Sequence, residues 1–145
     1  MPTYSRAIDH IDWDAAAEVF RRALGKREAS KLKRAFENSA ARAFAFEGET
    51  LVGLGRGISD GEYQAAIYDV VVLPEFQRRG IGTQLMKELM DQLKVDNVIL
   101  YAVPGKEGFY AKCGFRKMTT AMGILHPWMA GPNRGYLDES ATLST

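Results

Sequence analysis

The sequence is poor in the residues that form covalent and metal cross-links. It has one cysteine, Cys113, so no internal disulfide can form, which is typical of a reducing compartment. The two histidines, His10 and His126, lie far apart without the spacing of metal ligands. The chain shows neither an apolar signal segment near its first residues nor an apolar run of about 20 residues. These absences predict a small cytoplasmic protein that binds neither a metal nor a membrane.

An excess of charge of one sign is also missing. The chain has 19 Lys plus Arg and 18 Asp plus Glu, so its net charge of +1 gives no reason to expect a polyanionic partner. The segment 21–34 is the exception, with seven basic residues and one acidic residue, Glu28. It could bind nucleic acid or an acidic substrate, but its charges alternate with core positions. A solvated helical face is therefore favoured, and no nucleic-acid partner is predicted.

Hydrophobic periodicity predicts a chain that mixes helices and strands. A helix should follow Asp12 or Asp14 and stop at Gly25. Further helices are predicted at about 28–38, 83–94 and 107–113. Strands are predicted at 3–8, 41–47, 50–58, 63–73, 97–103 and 115–122. Short turns make an antiparallel meander of the strands from 41 to 73, whereas the strand–helix–strand order that follows calls for one parallel pair.

The strand predicted at 50–58 has glycine at every second position, Gly53, Gly55 and Gly57. These glycines are followed by Ile-Ser-Asp-Gly instead of a helix, so they do not form a nucleotide motif. Strand bends or close backbone packing are the expected reasons for them.

Residues 70–83 combine a strand, a glycine turn and the start of a helix. Pro74 ends the strand, Gly80 and Gly82 form the turn, and Arg78 and Arg79 add positive charge. The first N–H groups of a helix have no intrahelical partner, and glycine lets the backbone approach a phosphate closely. The spacing lacks the Lys-Ser/Thr of a P-loop and the third glycine of a dinucleotide fingerprint. The stretch therefore predicts a site for the phosphates of another ligand.

Two motifs carry a resemblance to a known family. Residues 77–82, Gln-Arg-Arg-Gly-Ile-Gly, resemble the Q/R-x-x-G-x-G/A turn of the GNAT superfamily of N-acetyltransferases. Residues 108–115, Gly-Phe-Tyr-Ala-Lys-Cys-Gly-Phe, are similar to the F-Y-x-K-x-G-F segment of that family. The motifs stand in the family's order, separated by a helix and a strand. The resemblance covers about residues 41–122.

The resemblance implies an α/β fold in one domain, residues 1–145, with a peripheral tail from about residue 124. A mixed, mostly antiparallel sheet of six to seven strands would splay between the strand ending at Leu73 and the strand ending at Val103. Acetyl-CoA would enter that gap as cosubstrate, with its pantetheine arm on the backbone of Val70, Val71 and Val72. Its pyrophosphate would lie at the turn of Gln77, Arg78, Arg79, Gly80, Ile81, Gly82 and Thr83, with Gln77 included only as part of the turn.

The implied reaction is acyl transfer from the thioester to a primary amine, by direct attack in a ternary complex. Tyr110 matches the general acid of many members, and a phenol with a pKa of about 10 suits a thiol leaving group. Some members place a glutamate where this chain has Ala66. Asp69 is the candidate base; it could accept the proton or hold a turn or helix end, and both interpretations stay open. Asp60 and Glu62 at the neighbouring turn are weaker candidates.

Other functions fit parts of the sequence. An alanine at the family's glutamate position also suits a non-catalytic acyl-CoA-binding or regulatory module of the same fold. An acyl-cysteine at Cys113 is disfavoured, because no histidine stands near it and a small buried thiol explains the residue. The acceptor amine is not identified, although the basic residues of segment 21–34 favour one with acid groups. The family often dimerises through its late strands, which leaves a homodimer open.

Overall fold

The computed structural model of the chain describes residues 1–139, which divide into two compact units. The first unit is Met1–Leu100, and the second begins at Tyr101. The tail predicted from residue 124 belongs to the second unit, and its last residues, 140–145, lie outside the described part. A single domain over the whole chain stays a prediction.

The first unit is a sheet with helices packed on it. Its strands are β1 Thr3–Ser5, β2 Ala41–Glu47, β3 Thr50–Ser59, β4 Gln64–Val72 and β5 Asn97–Ile99. Its helices are α1 Trp13–Ala23, α2 Ala29–Glu37 and α3 Ile81–Gln92, and a 3-10 turn spans Pro74–Phe76. In the second unit, α4 is Glu107–Lys112 and α5 is Pro127–Ala130. The predicted helices are confirmed, with ends that differ by a few residues.

The sheet has the strand order β1-β2-β3-β4-β5. Its first three pairings are antiparallel, and β4 pairs with β5 in parallel. The mixed, mostly antiparallel sheet of an α/β fold is therefore confirmed. The predicted number of six to seven strands is wrong, because the described residues form a sheet of five.

At the late end of the chain, one predicted strand is absent and another is shorter than predicted. Residues 115–122 form no strand, since polar pairs at 116–117 and 119–120 leave no continuous apolar face to bury. The strand predicted at 97–103 ends at Ile99, which pairs with Ala66. The strand β4 has a β-bulge soon after Ala66. Because a bulge bends its strand, the parallel neighbour β5 does not continue to pair with β4 beyond that point. The strand predicted at 3–8 is also shorter and ends at Ser5.

One face of the sheet is covered by α1 and α2. Asp12 caps α1, since its carboxylate accepts the N–H groups of Asp14 at 3.0 Å and Ala15 at 3.1 Å. In α2 the ring of Phe36 lies 5.6 Å from the ring of Phe44 in β2, and both side chains are fully buried. Aromatic pairs at this distance stabilise the fold beyond the area they bury. Trp13 of α1 lies 5.6 Å from the ring of Phe36 and 6.2 Å from that of Phe44, so this aromatic cluster of three rings holds both helices on the sheet.

The helix α3 packs on glycines of β3. Gly53 and Gly55 face Leu85 and Leu89 of α3, and Gly57 faces Leu93, the residue that follows the helix. A Cβ atom added at Gly57 would lie only 2.7 Å from Leu93 Cδ1, so any side chain there would force the helix outward. Phe44 pairs with Leu54, and side chains alternate along a strand, so α3 lies on the face opposite the aromatic cluster. Close backbone packing is thus confirmed as the role of these glycines.

Candidate active site

The strand β4 contains a β-bulge in its second half. The register with β3 shifts so that Asp69 and Val70 both lie opposite Gly55. Asp69 has a φ of 61°, in the left-handed region that aspartate tolerates better than most residues. The ladder between β4 and β5 ends before the bulge, at Ala66. In the part of the chain that the structure describes, residues 70–72 therefore have strand pairing only toward β3.

The Asp69 side chain is held by two arginines. Its carboxylate accepts a hydrogen bond from Arg56 Nε at 2.8 Å and lies 3.5 Å from a terminal nitrogen of Arg27. Arg56 belongs to β3 and Arg27 to the α1–α2 loop, residues 24–28, so the carboxylate joins three segments. The Asp69 side chain is only 16% exposed. Of the two roles that the sequence leaves open, these contacts favour holding the structure, and proton acceptance by Asp69 stays a prediction.

Sequence reasoning missed both arginines. The sequence does contain a signal for Arg56. Arg56 is a charge in the apolar strand β3, as Asp69 is in the neighbouring strand β4. Buried charges of opposite sign in neighbouring strands are expected to pair. For Arg27 the local sequence offers no such signal. It lies within the basic segment 21–34, and its partner lies far along the chain.

The predicted phosphate turn leads into α3 through two residues whose backbone is in the left-handed region. Arg78 has a φ of 63°, and Gly80, the N-cap residue, has a φ of 83°. Within the described chain no side chain caps this helix end, and no acidic residue stands in its first turn. Gly80, Arg78 and Arg79 are all exposed. The first N–H groups of α3 and two guanidinium groups can thus bind an anion at this end of the helix.

Two side chains fix the segment between β4 and α3. Gln77 Nε2 donates to the carbonyl oxygen of Val72 at 2.9 Å, which joins the turn to the end of β4. The guanidinium of Arg79 lies 5.2 Å from the centre of the Phe76 ring, a cation–π contact. The turn is therefore held in place by contacts within the segment itself.

The end of α1 is tied to the same segment. The guanidinium of Arg22 donates to both carboxylate oxygens of Glu75, at 2.8 and 2.7 Å. These hydrogen bonds are the main reason that the pKa of Glu75 is lowered from its ordinary value. Because the folded pKa lies below the unfolded one, the pair stabilises the fold above about pH 4.3 and loses that effect as the pH falls through the folded pKa.

We expect Glu75→Gln to lower the melting temperature at pH 7, by a small amount because the pair is exposed. The difference from the unsubstituted protein should shrink as the pH falls toward about 3. Thermal unfolding at both pH values measures this, with the exposed Glu62→Gln as control. A difference that stays constant between the two pH values would contradict the expectation.

In the second unit, Tyr110 lies on α4 between two phenylalanines. Its ring is 5.0 Å from that of Phe109 and 6.3 Å from that of Phe115, both in edge-on geometry. Its carbonyl oxygen accepts the N–H of Phe115 at 3.1 Å, across Gly114, whose φ is 96°. The motif thus fixes the tyrosine ring, which is half-buried. The role of Tyr110 as general acid stays a prediction.

The geometry agrees with the comparisons to known proteins. Residues 6–115 match the Acetyltransferase (GNAT) family. This chain belongs to the GNAT family. It is 35% identical over 97 residues to "Uncharacterized N-acetyltransferase ycf52" of Gracilaria tenuistipitata var. liui, which covers 62% of this chain and 53% of that protein. It is 34% identical over 118 residues to "Serotonin N-acetyltransferase 2, chloroplastic" of Oryza sativa subsp. japonica, which covers 76% of this chain and 59% of that protein.

A solved GNAT family acetyltransferase from Streptococcus pneumoniae has the same fold. The two structures superpose with a TM-score of 0.75 at 27% identity, over 87% of this chain and 97% of that one. The GNAT fold and superfamily that the two motifs predict are thereby confirmed, and the family is one of acyltransferases. The chain spans little more than half the length of the two curated relatives. Their names do not identify the acceptor of this chain.

The location of this GNAT protein stays a prediction. Among residues 1–139, no helix is both long enough and apolar enough to cross a bilayer. The rice relative is named as chloroplastic, whereas the sequence of this chain predicts a cytoplasmic protein.

The weaker base candidates of the GNAT domain are turn residues. Asp60 accepts backbone N–H groups of residues 62–64 at 2.8 to 3.1 Å, and these bonds, first that from Glu62, lower its pKa. Glu62 itself is exposed. Ala66, at the family's glutamate position, marks the end of the β4–β5 ladder. Both carboxylates, those of Asp60 and Glu62, are thus exposed to solvent.

Cys113 and the histidines have structural explanations. Burial raises the pKa of the Cys113 thiol, so the thiol is protonated at neutral pH and is a poor nucleophile. His126 caps α5, since its Nδ1 accepts the N–H of Trp128 at 3.3 Å. His10 is exposed in a turn. Within residues 1–139 no group of three or more His, Cys, Asp or Glu is placed to hold a metal ion.

Proposed function

We propose that this protein transfers an acetyl group from acetyl-CoA to a primary amine by direct attack in a ternary complex. One arrangement carries the proposal: the open edge of β4, residues 70–72, leads through a short turn into the uncapped N-terminus of α3. Unpaired backbone groups of a strand suit the amides of a pantetheine arm. Helix N–H groups suit a pyrophosphate. Acetyl-CoA carries these two parts one after the other.

The residues present fit acetyl-CoA. Val70, Val71 and Val72 would offer backbone groups to the pantetheine arm, and the side chains of Val71 and Val72 are themselves buried. The pyrophosphate would lie on the turn, Gln77, Arg78, Arg79, Gly80, Ile81, Gly82 and Thr83, where glycine at the N-cap takes a positive φ without strain. When bound, acetyl-CoA supplies an activated thioester.

The reaction makes three demands on the protein. The acceptor ammonium, with a pKa of about 10.4, must lose a proton before it attacks. The tetrahedral oxyanion needs a donor, which a backbone N–H near Val72 would provide, and one such donor contributes roughly 3 kcal/mol. The leaving thiolate needs a proton, which Tyr110 would donate. Asp69 would take the ammonium proton, directly or through water.

The acceptor would enter beside the α1–α2 loop. This loop reaches the bulge of β4 through the contact between Arg27 and Asp69. The rice relative is named as a serotonin N-acetyltransferase, so arylalkylamines belong among the first acceptors to test.

An assay separates this function from that of a non-catalytic acyl-CoA-binding module. Ala66 and the ion-paired Asp69 are the features that favour the module. Purified protein is incubated with acetyl-CoA and serotonin, tyramine, spermidine or amino acids, and released CoA thiol and N-acetylated product are measured. Product formation that requires both substrates supports the proposal. Acetyl-CoA binding without product from any of these amines supports the module.

The substitution Asp69→Asn separates the two roles of that residue. We expect a loss of stability of about 3 kcal/mol or less, because asparagine leaves two guanidinium groups facing no anion in a mostly buried place. Urea unfolding measures this, with the exposed Asp91→Asn as control. Unchanged stability together with loss of the acidic limb of the pH–rate profile would instead make Asp69 the proton acceptor.

A further inference from the structure

The arginines of the first unit differ in how their charge is neutralised. Arg21 has a carboxylate of its own, that of Glu18. Arg27 and Arg56, in contrast, share the carboxylate of Asp69. Two cations therefore face one anion, and this cluster, Arg27, Arg56 and Asp69, carries a net positive charge at the bulge of β4.

Within the cluster, Arg56 is bound more firmly than Arg27. Arg56 Nε donates to Asp69 at 2.8 Å, and its guanidinium lies 5.5 Å from the centre of the Tyr68 ring. Arg27 is 3.5 Å from Asp69, lies over the Phe20 ring at 5.4 Å, and its side chain is 38% exposed, against 17% for Arg56. A guanidinium has five N–H donors in a planar fork, and Arg27 uses few of them, in its 3.5 Å contact with Asp69 and a 3.5 Å hydrogen bond to the carbonyl oxygen of Lys26. Arg27 can therefore bind a second carboxylate from solution.

We propose that Arg27 recognises a carboxylate on the acceptor, so that the protein acts on amines that also carry an acid group, such as amino acids. This inference rests on the proposed function and names the class of its acceptor. Asp69, the partner of Arg27, directly precedes residues 70–72, which we assign to the pantetheine arm. A carboxylate on Arg27 brings the amine of the same molecule to the bulge. Lys26, which is exposed and has no ion pair within residues 1–139, adds positive charge beside it.

The charge of the cluster also selects against plain amines. An ammonium ion is repelled by the net positive charge, whereas an amino acid brings its own negative charge. A bound carboxylate leaves the cluster without a net charge, so the ammonium group of an acid-bearing amine meets less repulsion there than a plain ammonium ion does.

Matched acceptor pairs test the inference. The pairs are tyrosine with tyramine, 5-hydroxytryptophan with serotonin, and leucine with isoamylamine, each with acetyl-CoA, and kcat/KM is measured for every acceptor. Because the two amines of a pair differ in pKa, their kcat/KM ratio is compared between variants instead of being read alone. The variants are Arg27→Gln, Arg27→Lys, which keeps the charge without the fork, and Arg21→Gln as control. Melting temperatures confirm that each variant is folded.

We expect the acid-bearing member of each pair to be preferred, and Arg27→Gln to reduce that preference by about tenfold to a hundredfold. Arg27→Lys should give an intermediate ratio, and Arg21→Gln should leave the ratio unchanged. Turnover without a preference for the acid, or a preference that survives Arg27→Gln, overturns the inference while the proposed function stands. Absence of turnover with every pair overturns the acceptor class, and turnover of spermidine, an amine outside the pairs, would then show that the proposed function stands without it.

Discussion

Tyr110→Phe should lower turnover by about a hundredfold or more while acetyl-CoA binding is retained, because a general acid contributes that much to a rate. The substitution removes only the hydroxyl group, so the edge-on packing of the ring on Phe109 and Phe115 persists. Steady-state kinetics with any acceptor that is turned over, together with calorimetric titration of acetyl-CoA, measures both quantities.

Tyr101→Phe is the matched control, since Tyr101 lies in the same unit and is 55% exposed. It should leave turnover unchanged. Equal turnover of Tyr110→Phe and the unsubstituted protein would show that the phenol is a packing residue and that the thiolate leaves without its proton.

Gly55→Val should destabilise the fold by about 1–3 kcal/mol, because it adds a side chain to a packed interface. A Cβ atom at residue 55 would lie 3.1 Å from Leu89 Cδ1 and 3.1 Å from Val70 Cγ2. The new side chain would push α3 and the bulge apart, and these elements carry the turn and the open edge of β4. Acetyl-CoA affinity should therefore fall together with stability, as measured by urea unfolding and calorimetry.

A double variant provides the test of this mechanism. Leu89→Ala alone creates a cavity and costs about 2–5 kcal/mol, but it also makes room for a larger residue at 55. Gly55→Val with Leu89→Ala should therefore be less destabilised than the sum of the two single variants. Gly25→Val, at a glycine with no atom within 4 Å of its Cβ position, is the control and should change stability little. Strict additivity in the double variant would contradict the proposed packing.

Most of the helices and strands could be predicted because their signals are local. Asp12 stands where the first N–H groups of α1 need an acceptor, and the leucines of α3 repeat at helical spacing. The strands β2 and β3 alternate on either side of a tight turn. The strand predicted at residues 115–122 is wrong, because apolar residues without strict alternation do not define a buried strand face.

In the candidate site, too, local features could be predicted and features that depend on tertiary structure could not. The turn before α3 could be predicted from six consecutive residues, since glycine at a positive φ and a helix N-terminus are local features. The bulge and the cluster of Arg27, Arg56 and Asp69 could not, because they depend on the register of β3 against β4 and on a loop contact across the fold. Asp69 stood out as a charge in an apolar strand, but its partners are set by tertiary structure.

Thermal unfolding with acetyl-CoA tests the central claim most directly, namely that the turn at Gly80 binds this cosubstrate. At a hundredfold excess over its dissociation constant, a ligand that binds only the folded state stabilises it by roughly 2.7 kcal/mol. We predict that acetyl-CoA raises the melting temperature of the unsubstituted protein and that Gly80→Glu abolishes this rise. Gly61→Glu is the control, because Gly61 has a φ of 79°, close to the 83° of Gly80, and neither has an atom within 4 Å of its Cβ position. No rise in the unsubstituted protein, or an equal rise in Gly80→Glu, would contradict the account.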